Sequence, residues 1–163
     1  MGSDSVTPSM LCSLPLFSDL TDEHVGVIAG VSKIVPMLEN QEIFREGDVS
    51  EYLYIVLEGR VALEMHIPGR GRLRILTVEP QEVLGWSSVA DVSPKRVFTA
   101  CAVCAGKLLA IDAAKLHEAC QADPKLGYVV MHHVANVIAG RLMATRLQLL
   151  DMFSQPSSEA PHG

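Results

Sequence analysis

Four cysteines are the first residues of this sequence whose type and spacing suggest chemistry. Cys101 and Cys104 form a Cys-x-x-Cys pair inside an apolar run. A zinc site needs four ligands, usually from two such pairs or from a cysteine pair and a histidine pair, and the sequence offers no partner pair. A redox pair would begin a helix, whereas this run is typical of a strand. We predict that these two thiols, with Cys12 and Cys120, are ordinary buried or half-buried residues.

Two other groups of polar residues are also predicted not to form a metal-binding or ligand-binding site. His132 and His133 are neighbours in a helical pattern, and adjacent helical side chains point apart, so they are poor co-ligands of a metal. Arg70, Arg72 and Arg74 alternate along a predicted strand, so they share one face. We interpret that face as solvated. The sequence predicts no metal and no cofactor.

Enzyme motifs and nucleic-acid signals are missing from the sequence. It has no Gly-x-Ser-x-Gly, no Walker lysine loop and no His-Glu-x-x-His, so we predict that it is not an enzyme. Thirteen basic and nineteen acidic residues among 163 give a net charge of −6. Nucleic-acid binding depends on neutralising phosphates, so an acidic chain is a poor candidate for it. No membrane span or signal peptide is visible, and we expect a cytoplasmic protein.

The middle of the chain carries the elements that would position a site. Short segments rich in Val, Ile, Leu and Tyr are separated by turn residues such as Asp48, Gly59 and Pro80. This pattern predicts an antiparallel sandwich or barrel. The predicted strands are residues 34–38, 42–45, 52–58, 60–66, 72–78, 97–103 and 107–111.

Helices are predicted on both sides of the strands. Residues 13–30 give short helices, with Thr21 as a helix cap. Asp112 caps a helix over 113–121, and Asp123-Pro124 begins a long helix that ends near Phe153. The sequence therefore predicts a disordered leader over 1–12, one domain over 13–153 and a disordered tail over 154–163.

The long helix has two apolar stripes. Val130, Val134 and Val137 form one, which we assign to the domain itself. The other follows an alternating spacing of four and three, typical of a coiled coil. Its members are Met131, Ala135, Ile138, Leu142, Thr145, Leu149 and Met152. We predict that residues 131–152 contact a second copy or a partner protein, although a helix buried within its own monomer would show the same pattern.

The segment from Glu42 to Val61 carries a family resemblance. It contains a strand, a turn at Gly47-Asp48, an apolar strand and a turn at Gly59. It resembles the cyclic nucleotide-binding domain of catabolite-activator-type regulators, protein kinase A regulatory subunits and gated channels. The resemblance covers about residues 13–153. It implies a mainly β fold with flanking α: an antiparallel, jelly-roll-like β-barrel with short N-terminal helices and a long C-terminal helix.

Residues 83–100 match the phosphate-binding cassette of that family, and we refer to them as the cassette. Gly85 takes the place of the cassette glycine, and Arg96, followed by Thr99, matches the Arg-x-x-Thr ending. Lys95 would fit a loop one residue shorter and is the alternative phosphate contact. A guanidinium can give a phosphate two charge-assisted hydrogen bonds. Ser87 and Ser88 could add hydroxyl donors.

Trp86 departs from the family pattern. The family has a glutamate at this place, which accepts the ribose hydroxyl. An indole N–H only donates, so it cannot replace that acceptor. Losing one charge-assisted bond costs about 1.5–3 kcal/mol, or about ten- to a hundredfold in affinity.

The resemblance also implies that the long helix caps the base, and Arg141 and Thr145, with Arg146 beyond them, are the candidates. We therefore predict a regulatory sensor of cAMP, cGMP or a related small anionic ligand that signals through its C-terminal helix. The alternative is a degenerate domain that binds no nucleotide and serves dimerisation or partner docking. Trp86 favours the alternative, whereas Arg96 and Thr99 favour the sensor.

Overall fold

The computed structural model describes residues 5–89 and 95–154. The chain begins with α1 (Pro8–Cys12), a 3-10 helix (Pro15–Phe17) and α2 (Asp22–Gly30). Eight strands follow: β1 (Ser32–Met37), β2 (Glu42–Phe44), β3 (Tyr52–Glu58), β4 (Val61–Ile67), β5 (Gly71–Val78), β6 (Val83–Leu84), β7 (Thr99–Ala102) and β8 (Gly106–Asp112). A second 3-10 helix (Trp86–Ser88) lies between β6 and β7, and the chain continues with α3 (Ala113–Ala122) and α4 (Pro124–Ser154).

The strands form two antiparallel sheets. One has the order β1-β8-β3-β6 and the other β2-β7-β4-β5. Among the described residues no strand belongs to both sheets, so the mainly β jelly-roll-like prediction is confirmed but the sheets do not close into a barrel. β6 lies at one edge of its sheet and has two residues, after which Gly85 turns the chain with φ +76°.

Successive side chains of β3 and of β8 point to opposite faces of their sheet, and this explains how the sheets and helices pack. Leu53 and Ile55 of β3 face the helices, whereas Val56 lies between the two sheets. Leu109 of β8 likewise faces the helices, and its neighbour Leu108 faces the other sheet. Because both faces of these strands are buried, they read as continuous apolar runs.

Seven of the eight strands were predicted. The missed strand is β6, whose two residues, Val83 and Leu84, are too few for a periodic signal. The tight turn after β3 was predicted from Gly59. That glycine has φ +86°, and a Cβ there would lie 2.9 Å from the Ala105 carbonyl oxygen, so both conformation and space require glycine.

The N-terminal boundary was predicted wrongly. Residues 8–12 were assigned to a disordered leader, but they form α1. Thr7 caps this helix by accepting a hydrogen bond from the Met10 N–H, and Leu11 is fully buried in the core. Burial of Leu11 stabilises a segment whose composition alone gives no helical period. Residues 1–4 of that leader and residues 155–163 of the predicted tail lie outside the described residues.

Two histidine–aspartate pairs connect the N-terminal helices to α4. His24 Nε2 lies 2.6 Å from Asp123 Oδ2, and His133 Nε2 lies 3.2 Å from Asp19 Oδ2. Asp123 also caps α4 by accepting bonds from the N–H groups of Lys125 and Leu126. The hydrogen bond from His24 and these caps hold the pKa of Asp123 below its usual range.

The two apolar stripes of α4 have different surroundings. Val130 and Val134 are buried, and Val137 packs against them, as predicted. Ile138 was assigned to the partner stripe, but it is half-buried against the domain's own core. Beyond Arg141 the helix leaves the domain, and its large apolar side chains are exposed: Leu142, Met143, Leu147, Leu149, Leu150, Met152 and Phe153.

The remaining polar predictions have mixed outcomes. Cys101, Cys104 and Cys120 are half-buried free thiols as predicted, but Cys12 is exposed because it lies on the outer face of α1. Arg72 is solvated and paired with Glu42 at 2.9 Å. Within residues 5–89 and 95–154 no three His, Cys, Asp or Glu side chains are grouped to hold a metal. No helix in that part of the chain is long and apolar enough to cross a membrane.

Candidate functional site

Gly85 brings the cassette backbone close to β3. It ends β6 in the left-handed conformation, and the 3-10 helix Trp86–Ser88 begins directly after it. A Cβ on Gly85 would lie 3.2 Å from the Tyr52 carbonyl oxygen and would collide with the guanidinium of Arg96. The cassette glycine is therefore required both for its φ and for the arginine that packs on it.

Arg96 is buried at the centre of the cassette. The residue is only 4% exposed. Nη1 donates to the Gly85 carbonyl at 2.8 Å and Nη2 to the Tyr52 carbonyl at 2.5 Å, while the guanidinium carbon lies 4.2 Å from the centre of the Phe44 ring. Arg96 is therefore not a surface arginine. Arg96 joins the cassette to β3, so it contributes to stability whatever it binds.

Lys95, the alternative phosphate contact, has a different environment. Lys95 is exposed and forms an isolated β-bridge with Val49. Arg96 lines a small cavity together with Gly85, Ser87 and other residues described below, and Lys95 is not among the residues that line it. The geometry therefore favours Arg96 for the phosphate assignment.

The predicted hydroxyl donors divide into two groups. Ser88 Oγ donates to the Gly85 carbonyl at 2.8 Å, and Thr99 Oγ1 accepts the Glu46 N–H at 3.1 Å, so both hold backbone turns. Ser87 is buried, lies 3.0 Å from Ser50 through their hydroxyl oxygens, and lines the cavity. Ser87 is the hydroxyl that remains available to a ligand in this cavity.

Trp86 and Arg141 also line this cavity. Trp86 packs against the core cluster beneath the helices and also borders the cavity. Arg141 reaches the cavity from α4 and donates through Nη2 to the Val83 carbonyl. Thr145 is exposed and donates to the Arg141 carbonyl at 2.9 Å, so the structure does not bring it to the cavity. Arg146 is also exposed.

The cavity is small, and two of its described lining residues, Arg96 and Arg141, are cationic. Its volume is about 20 Å³, which is room for about one water molecule. Among the residues that the structure describes, its lining is formed by Phe44, Leu63, Gly85, Trp86, Ser87, Arg96, Val97, Phe98 and Arg141. Burial lowers the pKa of both Arg96 and Arg141, because each cation has lost much of its hydration.

Arg141 also borders a much larger groove. This groove has a volume of about 670 Å³ and runs between α4 and the turn from β5 to β6. Volumes of about 300–1,000 Å³ are usual for small-molecule pockets. Arg141 therefore lines both the small cavity and a groove of ligand size.

The sequence proposed Arg141 as a candidate cap for the base, and the structure brings it to the same cavity as Arg96. The signal was present, because Arg141 lies four residues after Val137 and seven after Val134, on the stripe that faces the domain. The role of Phe44 beneath the Arg96 guanidinium was missed, and a three-residue strand gives no local signal for it.

Comparison with known proteins gives consistent matches. The family model described as "Cyclic nucleotide-binding domain" matches residues 35–123. The chain is 30% identical over 136 residues to the Cyclic AMP receptor protein of Thermus thermophilus, covering 83% of this chain and 60% of that protein. The chain thus spans about 60% of the length of this curated relative.

Solved structures show the same fold. A "Putative Cyclic nucleotide-binding protein" from Geobacter metallireducens superposes with a TM-score of 0.76 at 28% identity, covering 84% of this chain and 98% of that one. The Catabolite Activator Protein of Thermus thermophilus gives a TM-score of 0.69 at 28% identity, over 86% and 63% of the two chains.

Proposed function

The chain belongs to the cyclic nucleotide-binding domain family, and from this premise we propose that it is a regulatory sensor, not an enzyme. In this proposal its ligand is cAMP, cGMP or a related small anionic molecule, bound between the cassette and α4. The signal leaves through α4. The chain itself does not bind nucleic acid, which its net charge of −6 supports.

The convergence of Arg96 and Arg141 on one cavity supports this proposal most strongly. Among the described residues, neither arginine has a carboxylate within ion-pair distance. A buried cation without a counter-charge is costly, and a bound anion removes that cost. Two such cations at one cavity favour a ligand with a phosphate group.

Access to the cavity requires movement of Arg141. The present volume of about 20 Å³ cannot hold a nucleotide. If the Arg141 side chain leaves the Val83 carbonyl, the cavity and the 670 Å³ groove become one space of nucleotide size. The ligand then exchanges one hydrogen bond of Arg141 for stronger, charge-assisted ones.

This exchange gives a mechanism for signalling. Arg141 is part of α4, so a ligand that binds it changes which contacts hold that helix on the domain. A ligand with different affinities for the two positions of α4 shifts their populations. The row of exposed apolar residues in the C-terminal part of α4 begins at Leu142, directly after the arginine.

A homodimer through residues 131–152 would carry this signal further. Leu142, Leu149 and Met152 are at least half exposed and keep the spacing of a coiled-coil seam. Exposed apolar residues in such a row mark an interaction surface. We assign this surface to a second copy of the chain, since the seam is regular enough to pair with itself.

Trp86 and the small cavity favour one second candidate function. In it, the pocket is degenerate and the domain serves dimerisation or partner docking without a ligand. The indole fills space beside the cassette and cannot accept a bond from a ribose hydroxyl.

Isothermal titration of the chain with cAMP and then cGMP distinguishes the two candidates. The sensor proposal expects saturable binding, which Arg141→Gln weakens about ten- to a hundredfold. Arg146→Gln, an exposed arginine on the same helix, is the matched control and leaves affinity unchanged. If neither nucleotide gives heat or a thermal shift up to millimolar concentration, and other small anions behave alike, the degenerate-domain function replaces the sensor.

A further inference from the structure

A bulge in β2 determines which face of the sheet Phe44 occupies. In β2, Glu42 lies opposite Cys101 of β7. Phe44, two residues further along β2, lies opposite Ala100, which is only one residue before Cys101. Neighbouring residues of β7 point to opposite faces, so the extra residue in β2 places Phe44 on the face of Ala100. Ala100 is fully buried between the sheets, and Phe44 packs in the same cluster. The bulge therefore turns Phe44 inward.

Phe44 meets Arg96 on this inner side. The Arg96 guanidinium carbon lies over the Phe44 ring, 4.2 Å from its centre, and 5.7 Å from the centre of the Tyr54 ring. The two rings are themselves stacked, with centres 6.0 Å apart and planes at 25°. A cation over an aromatic face is attracted by the quadrupole of the ring, and the attraction is larger when the cation is desolvated. Arg96 is buried, so it meets this condition.

The contacts of Arg96 restrain its guanidinium in two different ways. Nη1 and Nη2 donate to the carbonyls of Gly85 and Tyr52 at 2.8 Å and 2.5 Å. Hydrogen bonds of a guanidinium lie in its plane, whereas an aromatic ring contacts its face. The ring of Phe44 therefore opposes a tilt of the guanidinium out of its plane. Such a tilt matters for function, because a phosphate is bound through the in-plane N–H groups.

The contact with Phe44 is also neutral. Burial lowers the pKa of Arg96, because the cation has lost much of its hydration. An aromatic ring returns part of this lost stabilisation to the ligand-free chain without bringing a negative charge. It therefore does not compete by charge with a bound anion, and its contact with the face of the cation can persist when a ligand is bound.

We propose that Phe44 is a positioning residue for ligand binding: its ring holds the Arg96 guanidinium in the orientation that receives the phosphate group. This inference rests on the proposed function and adds a residue to its site. Phe44 acts through Arg96 and needs no contact with the ligand. The bulge in β2 is part of the arrangement, since a regular strand would turn Phe44 to the same face as Glu42.

The first test measures cAMP affinity by isothermal titration, after circular dichroism shows that each variant is folded. Phe44→Leu stays apolar but loses the ring, and it should weaken binding about five- to thirtyfold. Phe44→Tyr keeps the ring and should stay within about twofold of the parent. Phe17→Leu makes the same change at a buried phenylalanine that is not among the described residues lining the cavity. It should lower stability but leave the affinity unchanged. Phe44→Met replaces Phe44→Leu if that variant does not fold.

The second test needs no ligand. Rotation about the Nε–Cζ bond of Arg96 exchanges its two Nη nitrogens, and nuclear magnetic resonance of the arginine side chains measures the exchange rate. Phe44→Leu should raise this rate severalfold in the ligand-free chain, whereas Phe44→Tyr should keep the parent value. Phe17→Leu should also keep it, because a general loss of stability does not release the face of the guanidinium.

The two tests separate this inference from the sensor function. If the parent binds cAMP but Phe44→Leu binds it equally well, or if Phe44→Tyr does not restore affinity, the inference is overturned and the sensor function stands. If the parent binds neither cAMP nor cGMP, the sensor function fails and the exchange rate alone decides. Faster exchange in Phe44→Leu then supports the positioning of Arg96 by the ring, and an unchanged rate overturns it.

Discussion

The two halves of α4 contain similar apolar side chains in different surroundings. In residues 124–141, Leu126, Val130 and Val134 are buried against the domain. In residues 142–154 the large apolar side chains are exposed, Leu149 by 50% and Phe153 by 86%. The first half completes the core, and the second half is not needed for it. Arg141 lies at the boundary, where a ligand contact can act on both.

The largest effect expected from this comparison is on folding stability. Leu126→Ala removes a fully buried side chain and should lower the free energy of unfolding by about 2–5 kcal/mol. Leu149→Ala makes the same chemical change on the exposed half and should alter it by about 0.5 kcal/mol or less. Urea denaturation at low protein concentration measures both. Similar losses in the two variants would mean that both halves belong to one core.

The second prediction concerns association through the exposed half. Leu149→Glu places a charge in the proposed seam and should raise the dimer dissociation constant at least tenfold, while the urea midpoint of the monomer is unchanged. Analytical ultracentrifugation over a concentration series measures this. Leu149 is a better site than Ile138, which also packs on the domain's own core. A parent chain that stays monomeric at all concentrations would contradict the proposed homodimer.

Two glycines of α4 sharpen the comparison further. A Cβ on Gly127 would lie 3.0 Å from the Cys120 carbonyl oxygen of α3, whereas Gly140 has open space around it. Gly140→Ala should therefore gain about 0.5–1 kcal/mol of stability from helix propensity. Gly127→Ala should gain less than Gly140→Ala, or lose stability, because α3 must shift. Thermal denaturation of the two variants under identical conditions decides the order.

The smallest effect is the pH dependence of the α4 N-terminus. His24 lowers the pKa of Asp123 in the folded chain. A lowered pKa stabilises the fold at pH values above the unfolded pKa, near about 4, and this contribution is lost as the pH falls through the folded value. Asp123→Asn keeps a capping oxygen but not the charge. Its urea midpoint should therefore fall less steeply than that of the parent between pH 6 and 3, and parallel curves would contradict this.

The predictable part of the fold depended on local signals. Thr21, Asp112 and Asp123 cap helices where their sequence positions predict it, and Gly59 makes a turn that only glycine fits. β3 was equally clear, since its apolar run is buried on both faces. These features are determined by residues close together in the chain, so the sequence was sufficient to predict them.

The rest depended on contacts between distant residues. Leu11 is helical because the core covers it, and β6 exists because two residues pair with β3. The meeting of Arg96 with Arg141 joins positions 45 residues apart across the cassette and α4. No local pattern shows such a meeting, and the cassette match predicted only one of the two arginines as a phosphate contact.

A double-mutant cycle on ligand binding tests the central claim most directly, namely that Arg96 and Arg141 hold one anion. The measurement is the cAMP affinity of the parent, Arg96→Lys, Arg141→Gln and the double variant by isothermal titration, after circular dichroism shows that each is folded. The account predicts that the two losses are not additive, with a coupling of at least about 0.5 kcal/mol. Strictly additive losses, or full affinity in Arg141→Gln, would contradict it.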